Sequence, residues 1–291
     1  MLRYNHLVME TQPTAAKPTP PPLATMGELA LTFIGSGSAF AKRYYQNNLL
    51  VAKGAEHVLI DCGARTPEAL DRLGIPIVKI NRFLITHTHA DHIGGLEEAM
   101  LMNRYFAKKR SRMVVAPRLR TILWNQSLRG GSAWNEMHDG KPLSFGDFWI
   151  EDRPRRVPGA DRELMLVQVG ELKLHLFRTK HVPEGAPSWR ESFPSYGVII
   201  DGCILFTSDT RFDPDLLEWA LANFPLKAIL HDVQFFTGGV HAGIDELGTL
   251  PAAIKAKMFL MHYGDKLPEM ADHIAELGFA GIVEQWKTYR Y

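Results

Sequence analysis

Between Leu84 and Gly95 an apolar run stops abruptly, and four side chains of metal-ligand type follow within six residues: Thr86-His87-Thr88-His89-Ala90-Asp91-His92-Ile93-Gly94-Gly95. In extended chain, His87 and His89 lie two apart and point to the same side. Asp91 and His92 fall where the chain turns into a helix, so they can reach back toward the strand end. Gly94 and Gly95 leave room for backbone in the first helical turn. Imidazole nitrogen with carboxylate oxygen suits Zn²⁺, and also Mn²⁺ or Fe²⁺. Solvated surface histidines are the competing reading, and this density of ligands behind an apolar strand argues against it.

The rest of the chain supplies a body large enough to hold such a centre. Its 291 residues are 46% hydrophobic and 22% charged, close to soluble globular averages, which excludes disorder, collagen and coiled coil. Lys+Arg 33 against Asp+Glu 32 gives a net charge of +1, so no global field gathers nucleic acid or membrane. No apolar run approaches the ~20 residues of a membrane span. Two cysteines make no disulfide framework, and Cys62 and Cys203 read as small hydrophobes beside strands. No signal-peptide core is visible, so a cytoplasmic protein is expected. Residues 1–26 include the proline-rich stretch 11–25 and read as a flexible tail, with Met26 an alternative start. Residues 27–291 read as one α/β domain. Strands are expected at 29–34, 49–53, 57–61, 82–86, 164–169, 171–178, 196–201, 203–207, 227–230 and 256–261. Helices are expected after Thr66, over 93–107, after Asp213-Pro214, near 245–255 and over 267–277. The phrases Val58-Leu-Ile-Asp-Cys-Gly and Val198-Ile-Ile-Asp-Gly-Cys echo each other and hint at two related halves.

The pattern T-H-x-H-x-D-H-x-G-G resembles the signature of the metallo-β-lactamase superfamily. That resemblance implies a four-layer αβ/βα sandwich and further ligands in fixed order. His181 fits the third histidine, with His175 as competitor inside the same strand. Asp209, after Leu205-Phe-Thr-Ser, fits the bridging aspartate. His262, after Met258-Phe-Leu-Met, fits the last histidine, with His231 as competitor. Two Zn²⁺ ions are implied, one held by His87, His89 and His181, the other by Asp91, His92 and His262, with Asp209 between them. Asp61, in Leu59-Ile-Asp-Cys-Gly, would orient the ligand loop through hydrogen bonds.

Two further motifs resemble the ribonuclease Z-like branch: Phe33-Ile-Gly-Ser-Gly-Ser-Ala, and His231-Asp232-Val-Gln-Phe-Phe followed by His241-Ala-Gly. In that branch an acidic residue and a histidine pair beside the metals and protonate the leaving oxygen, an effect worth roughly 10²–10⁴-fold. Asp232 stands where the usual residue is the longer Glu. The catalytic set implied is Asp91, which is also a ligand, with His241, Asp232 and His231. Only the 27 residues from Val182 to Ser208 separate His181 from Asp209, which leaves no room for a tRNA-gripping arm. The reading is therefore a binuclear phosphodiesterase for a small phosphodiester such as a cyclic nucleotide, acting by metal-hydroxide attack on phosphorus. A lactonase or thioesterase, an RNA-processing nuclease, an iron-dependent sulfur dioxygenase and a non-catalytic sensor remain alternatives. A homodimer is the expected assembly. Residues 101–135 hold eight basic side chains and no acid, which would steer phosphate or simply form a solvated face. Trp124–Trp134 is expected near the pocket wall.

Overall fold

The computed structural model describes residues 18–291. Strands such as Ala30–Gly35, Tyr196–Ile200 and Ala228–Asp232 are buried at every residue, so both faces of each sheet are covered. Two sheets and their flanking helices satisfy this as a four-layer αβ/βα sandwich around one continuous apolar core.

The first sheet runs in the order Thr288–Arg290, Ala30–Gly35, Asn48–Lys53, Glu56–Ile60, Arg82–Ile85, Ser111–Val115, Trp149–Asp152. The second runs Arg155–Arg156, Leu164–Val169, Leu172–Arg178, Tyr196–Ile200, Ile204–Phe206, Ala228–Asp232, Met258–Met261, Gly281–Ile282. Both sheets share one plan. An antiparallel set ends in a strand, 56–60 or 204–206, that begins a parallel set. Two related halves are thus visible in the topology. The echoing phrases are one strand out of register with it: the first leads from 56–60 into a parallel crossover, while the second spans the hairpin turn between 196–200 and 204–206.

Parallel order has a consequence for chemistry. Strands 56–60, 82–85, 172–178, 204–206, 228–232 and 258–261 deliver their carboxyl ends to one edge, the place where open α/β sheets build sites. Three turns leaving those ends put a non-glycine residue in the left-handed region: Asp61 at φ +63°, Ser208 at +52° and His262 at +58°. Such backbone costs of order 1–3 kcal/mol each and persists where surrounding contacts over-determine it.

The helix expected over 93–107 is segmented into Ala90–Ile93, Leu96–Leu101 and a wider π-helical turn at Met102–Phe106. The break falls where the loop after strand 56–60 presses on the chain. Gly95 N–H donates to the Cys62 carbonyl at 2.9 Å, and a Cβ on Gly95 would lie 2.5 Å from the Gly63 oxygen and 2.9 Å from Cys62 Sγ. The first seventeen residues of the expected tail lie outside the described residues. Within its remainder, Pro21 is buried, Leu23 packs against the core, and the Leu23 carbonyl lies 3.0 Å from His57 Nδ1. Trp124, expected near the pocket, instead sits in the core with Phe145 and Phe148, while Trp134 is 69% exposed. Among the described residues, no helix is long and apolar enough to cross a membrane.

Candidate metal centre

Seven side chains from the two sheets meet at the shared edge. His87 and His89 follow strand 82–85, Asp91 and His92 occupy the short helix 90–93, and His181 follows strand 172–178. Asp209 follows strand 204–206, and His262 follows strand 258–261. All but His89 are buried. His89 Nδ1 lies 3.1 Å from His87 Nε2 and 3.3 Å from His181 Nε2, while Asp209 Oδ2 is 3.8 Å from both of those Nε2 atoms. The other group is tighter. His92 Nε2 is 3.2 Å from Asp91 Oδ2 and 3.3 Å from Asp209 Oδ2; His262 Nε2 is 3.4 and 3.5 Å from the same two oxygens. His175 stays in strand 172–178, its ring 5.2 Å from that of Phe224.

Hydrogen bonds around the cluster decide which nitrogens carry protons. The Thr86 hydroxyl donates to Asp61 Oδ2 at 2.7 Å, so at its 3.1 Å contact with His87 Nδ1 it can only accept. His92 Nδ1–H donates to Asp61 Oδ2 at 2.7 Å, and His181 Nδ1–H to the Val240 carbonyl at 2.8 Å. Each of these rings therefore keeps a proton on Nδ1 and turns Nε2 toward the cluster, the orientation a metal ligand needs. His89 Nδ1 faces both the His87 and the His181 Nε2 at 3.1 and 3.3 Å and has at most one proton to give, so a cation among the three nitrogens relieves the lone-pair contact that remains. The spacing suits one: donors ~2.0–2.1 Å from a tetrahedral ion stand ~3.3 Å apart. His92 Nε2 and Asp209 Oδ1 are buried without any hydrogen-bond partner, which a cation would also remedy.

The electrostatics point the same way. Burial, together with neighbouring His92, pushes His87 far below the usual imidazole range, and burial pushes His181 down to about 4. Burial would raise the Asp209 carboxyl, yet His262 and His92 hold it well below the usual carboxylate range. His87 and His181 thus offer neutral imidazoles and Asp209 an ionised carboxylate, the forms that bind divalent metal. Burial would lower His92, yet Asp209, Asp91 and Asp61 hold it well above the usual imidazole range, so a cation at its Nε2 would displace a proton.

Asp61 accepts from Thr86 N–H at 2.9 Å as well as from Thr86 Oγ1 and His92, and so orients two ligands at once. Replacing it with alanine is expected to weaken divalent-metal binding by about 10–100-fold, measured by chelator competition, while the fold persists.

Beside the cluster lies a second constellation. His241 Nδ1 is 3.0 Å from Asp232 Oδ2 and 3.8 Å from Asp209 Oδ2. Asp232 is fully buried, and its Oδ2 also accepts Thr210 N–H at 3.1 Å. Aspartate in place of the longer glutamate therefore still reaches the imidazole. Burial would raise Asp232, but hydrogen bonds from His231 and His241 hold it below the ordinary carboxylate value. Burial would lower His241, but its bond to Asp232 and the nearby Asp209 charge hold it above the ordinary imidazole value. His231 is buried, its Nδ1–H shared between the Asp232 carbonyl at 2.8 Å and Asp232 Oδ1 at 3.2 Å.

Three of the eight cations in the basic segment are matched by acids that the fold brings to them, while Lys109 and Arg110 donate to the Asn81 side chain and the Gly146 carbonyl. Arg104 pairs with Glu136, Arg112 with Asp152, and Arg120 with Glu151 at 3.5 Å.

A sequence profile described as Anti-Pycsar protein Apyc1 matches residues 29–289, a span that contains every residue of the site. The chain belongs to the Apyc1 family. It is 39% identical over 259 residues to the Anti-Pycsar protein Apyc1 of Bacillus phage vB_BsuM-Goe3, a match covering 86% of this chain and 95% of the phage protein. The Apyc1 of Paenibacillus xerothermodurans is 35% identical over 264 residues, covering 90% and 98%. Among solved structures, the metallo-β-lactamase fold protein YhfI from Bacillus subtilis superposes with a TM-score of 0.65 at 15% identity, covering 91% of this chain and all of that one. A diphosphatase of the PhnP family gives 0.63 at 17%, covering 90% and 98%. The short form of human tRNase Z gives 0.58 at 16%, covering 89% and 98%. These likenesses are of fold, and they make this Apyc1-family chain a metallo-β-lactamase fold protein with ribonuclease Z-like and PhnP-like neighbours. It carries His and Asp groups that could hold divalent metal.

Sequence reasoning overlooked Thr86 and Ser208. Ser208 Oγ donates to Thr86 Oγ1 at 3.0 Å and ties the loop before Asp209 to the His87 loop. The signal for Thr86 was its place directly before the first histidine.

Proposed function

We propose that this protein is a binuclear metal-dependent phosphodiesterase that opens a small phosphodiester, most naturally a 3′,5′-cyclic nucleotide. The observation that carries the reading is the His241–Asp232 pair set 3.8 Å from the carboxylate common to both ligand groups. The anti-Pycsar designation of the family agrees with a small cyclic nucleotide as substrate.

His87, His89 and His181 would hold one cation, Asp91, His92 and His262 the other, with Asp209 bridging; zinc fits the donor set. Two such cations supply charge neutralisation at the phosphate and lower the pKa of water. The protein's own groups complete the reaction. As the oxygen of a water that has given one proton to solvent bonds to phosphorus, the bond from phosphorus to the ribose 3′ oxygen breaks and leaves a strongly basic alkoxide. His241, 21% exposed at its side chain and lining the adjoining cleft, gives its proton to that oxygen. Asp232 holds Nδ1–H, fixes the ring and supports the charged form; Thr210 N–H and His231 hold Asp232 in turn. The product is a nucleoside 5′-monophosphate.

The span from Val182 to Ser208 favours a small substrate over RNA. It folds back on the domain, with the Arg178 guanidinium gripping the Trp189 and Ser192 carbonyls at 2.9 and 2.8 Å, and then enters the strands 196–200 and 204–206. Chromatography of a reaction with a 3′,5′-cyclic nucleotide is expected to yield the 5′-monophosphate. Turnover of a thioester or lactone with no phosphodiester cleaved would overturn the reading.

A further inference from the structure

Next to the candidate centre lies a cleft of about 570 Å³. His241 and His262 belong to the candidate centre; Val240, Phe235, Phe236 and Phe40 make the rest of the lining mainly apolar, with the charged Asp265 and Lys266 beside them. Phe40 is 87% exposed and Phe236 66% exposed, although water-facing rings of this size forfeit the gain of burial. The backbone beneath them is firmly tied. Asp265 accepts the Lys42 and Arg43 N–H groups, which fastens the loop after Phe40 to the turn after His262. Gln234 Nε2 donates to the Phe236 carbonyl at 3.0 Å, and Glu184 Oε1 accepts Gly239 N–H at 2.7 Å. Rings presented on fixed backbone are prepared for a ligand at little ordering cost.

We propose that this cleft binds the flat heterocycle of the substrate, with Phe40 and Phe236 as the stacking surfaces. The inference rests on the phosphodiesterase reading for the placement of the phosphate and adds where the base goes. Continuity argues for this occupant. An anionic group at His241 and His262 leaves the remainder of a nucleotide-sized molecule in mainly apolar surroundings, and the volume lies within the range of small-ligand sites. Stacking on an aromatic face is the contact every base can make.

Calorimetry with the full chain tests it without turnover. The ligands are a cleavage-resistant 3′,5′-cyclic nucleotide phosphorothioate and the matching cyclic ribose phosphorothioate without a base. The wild type should bind the nucleotide about ten-fold or more tightly than the base-free ligand. Phe40→Ala and Phe236→Ala should each remove most of that gap, and Phe236→Leu, which keeps apolar bulk without a flat face, should do the same at its position. Equal affinity of the wild type for both ligands, or variants that weaken both alike, would overturn the proposal and leave the rings to a protein partner. A nucleotide bound in this ring-dependent way but not cleaved would uphold the stacking site while defeating the phosphodiesterase reading.

Discussion

Asp209→Ala should abolish phosphodiester hydrolysis, with a loss of at least ~10³-fold in kcat/KM, roughly 4 kcal/mol of transition-state stabilisation. No other residue of the site touches so many ligands. Its Oδ2 lies 3.3–3.8 Å from ring nitrogens of His87, His92, His181, His241 and His262. Removing it takes away the anion that would keep two cations from repelling each other. It also leaves five imidazoles crowded in a buried space. Metal content should fall together with activity. Asp209→Asn, which keeps the shape and loses the charge, should share the defect, and circular dichroism should show both variants folded. Full metal content with wild-type turnover in either variant would remove Asp209 from the centre.

His241→Ala should behave differently, because its defect depends on the leaving group. A p-nitrophenolate departs without protonation, whereas a ribose 3′-alkoxide needs an acid. The loss should be small on bis-p-nitrophenyl phosphate and ~10²-fold or more on a 3′,5′-cyclic nucleotide, with metal content unchanged. A ligand variant such as His181→Ala should instead damage both substrates and the metal content together. Equal losses on the two substrates with full metal would dismiss His241 as the acid. His231, which faces the Asp232 carbonyl rather than the cleft, is poorly placed to replace it.

The parts of this architecture that could be read from sequence are those set by local pattern. The hydrophobic runs at 164–169 and 171–178 mark strands to within a residue of Leu164–Val169 and Leu172–Arg178, because burial and hairpin geometry are written in neighbouring residues. The site was legible for a similar reason: the candidate ligands follow the ends of apolar strands, four of them bunched in the loop and short helix after Arg82–Ile85, and the fold then gathers the strand ends at one edge. What stayed hidden is non-local. Ser111–Val115 and Trp149–Asp152 pair in parallel, and the charge of Arg112 is met only by Asp152 on the partner strand. The short strand Thr288–Arg290 owes its existence to Ala30–Thr32 at the opposite end of the chain. Arg104, Arg112 and Arg120 looked unopposed because their partners Glu136, Asp152 and Glu151 lie outside the 101–135 window. Phe40 and Phe236 belong to loops far apart in sequence, and only the fold shows that they line one cleft.

The central claim is that two cations sit among these seven side chains. Elemental analysis of the full-length protein, purified without chelators and paired with a quantitative protein assay, tests it most directly. Two equivalents of metal per chain, zinc foremost, are expected, with both lost in Asp209→Ala. A single equivalent of iron in the wild type, unaffected by loss of His262 or Asp91, would contradict the binuclear centre and with it the phosphodiesterase mechanism.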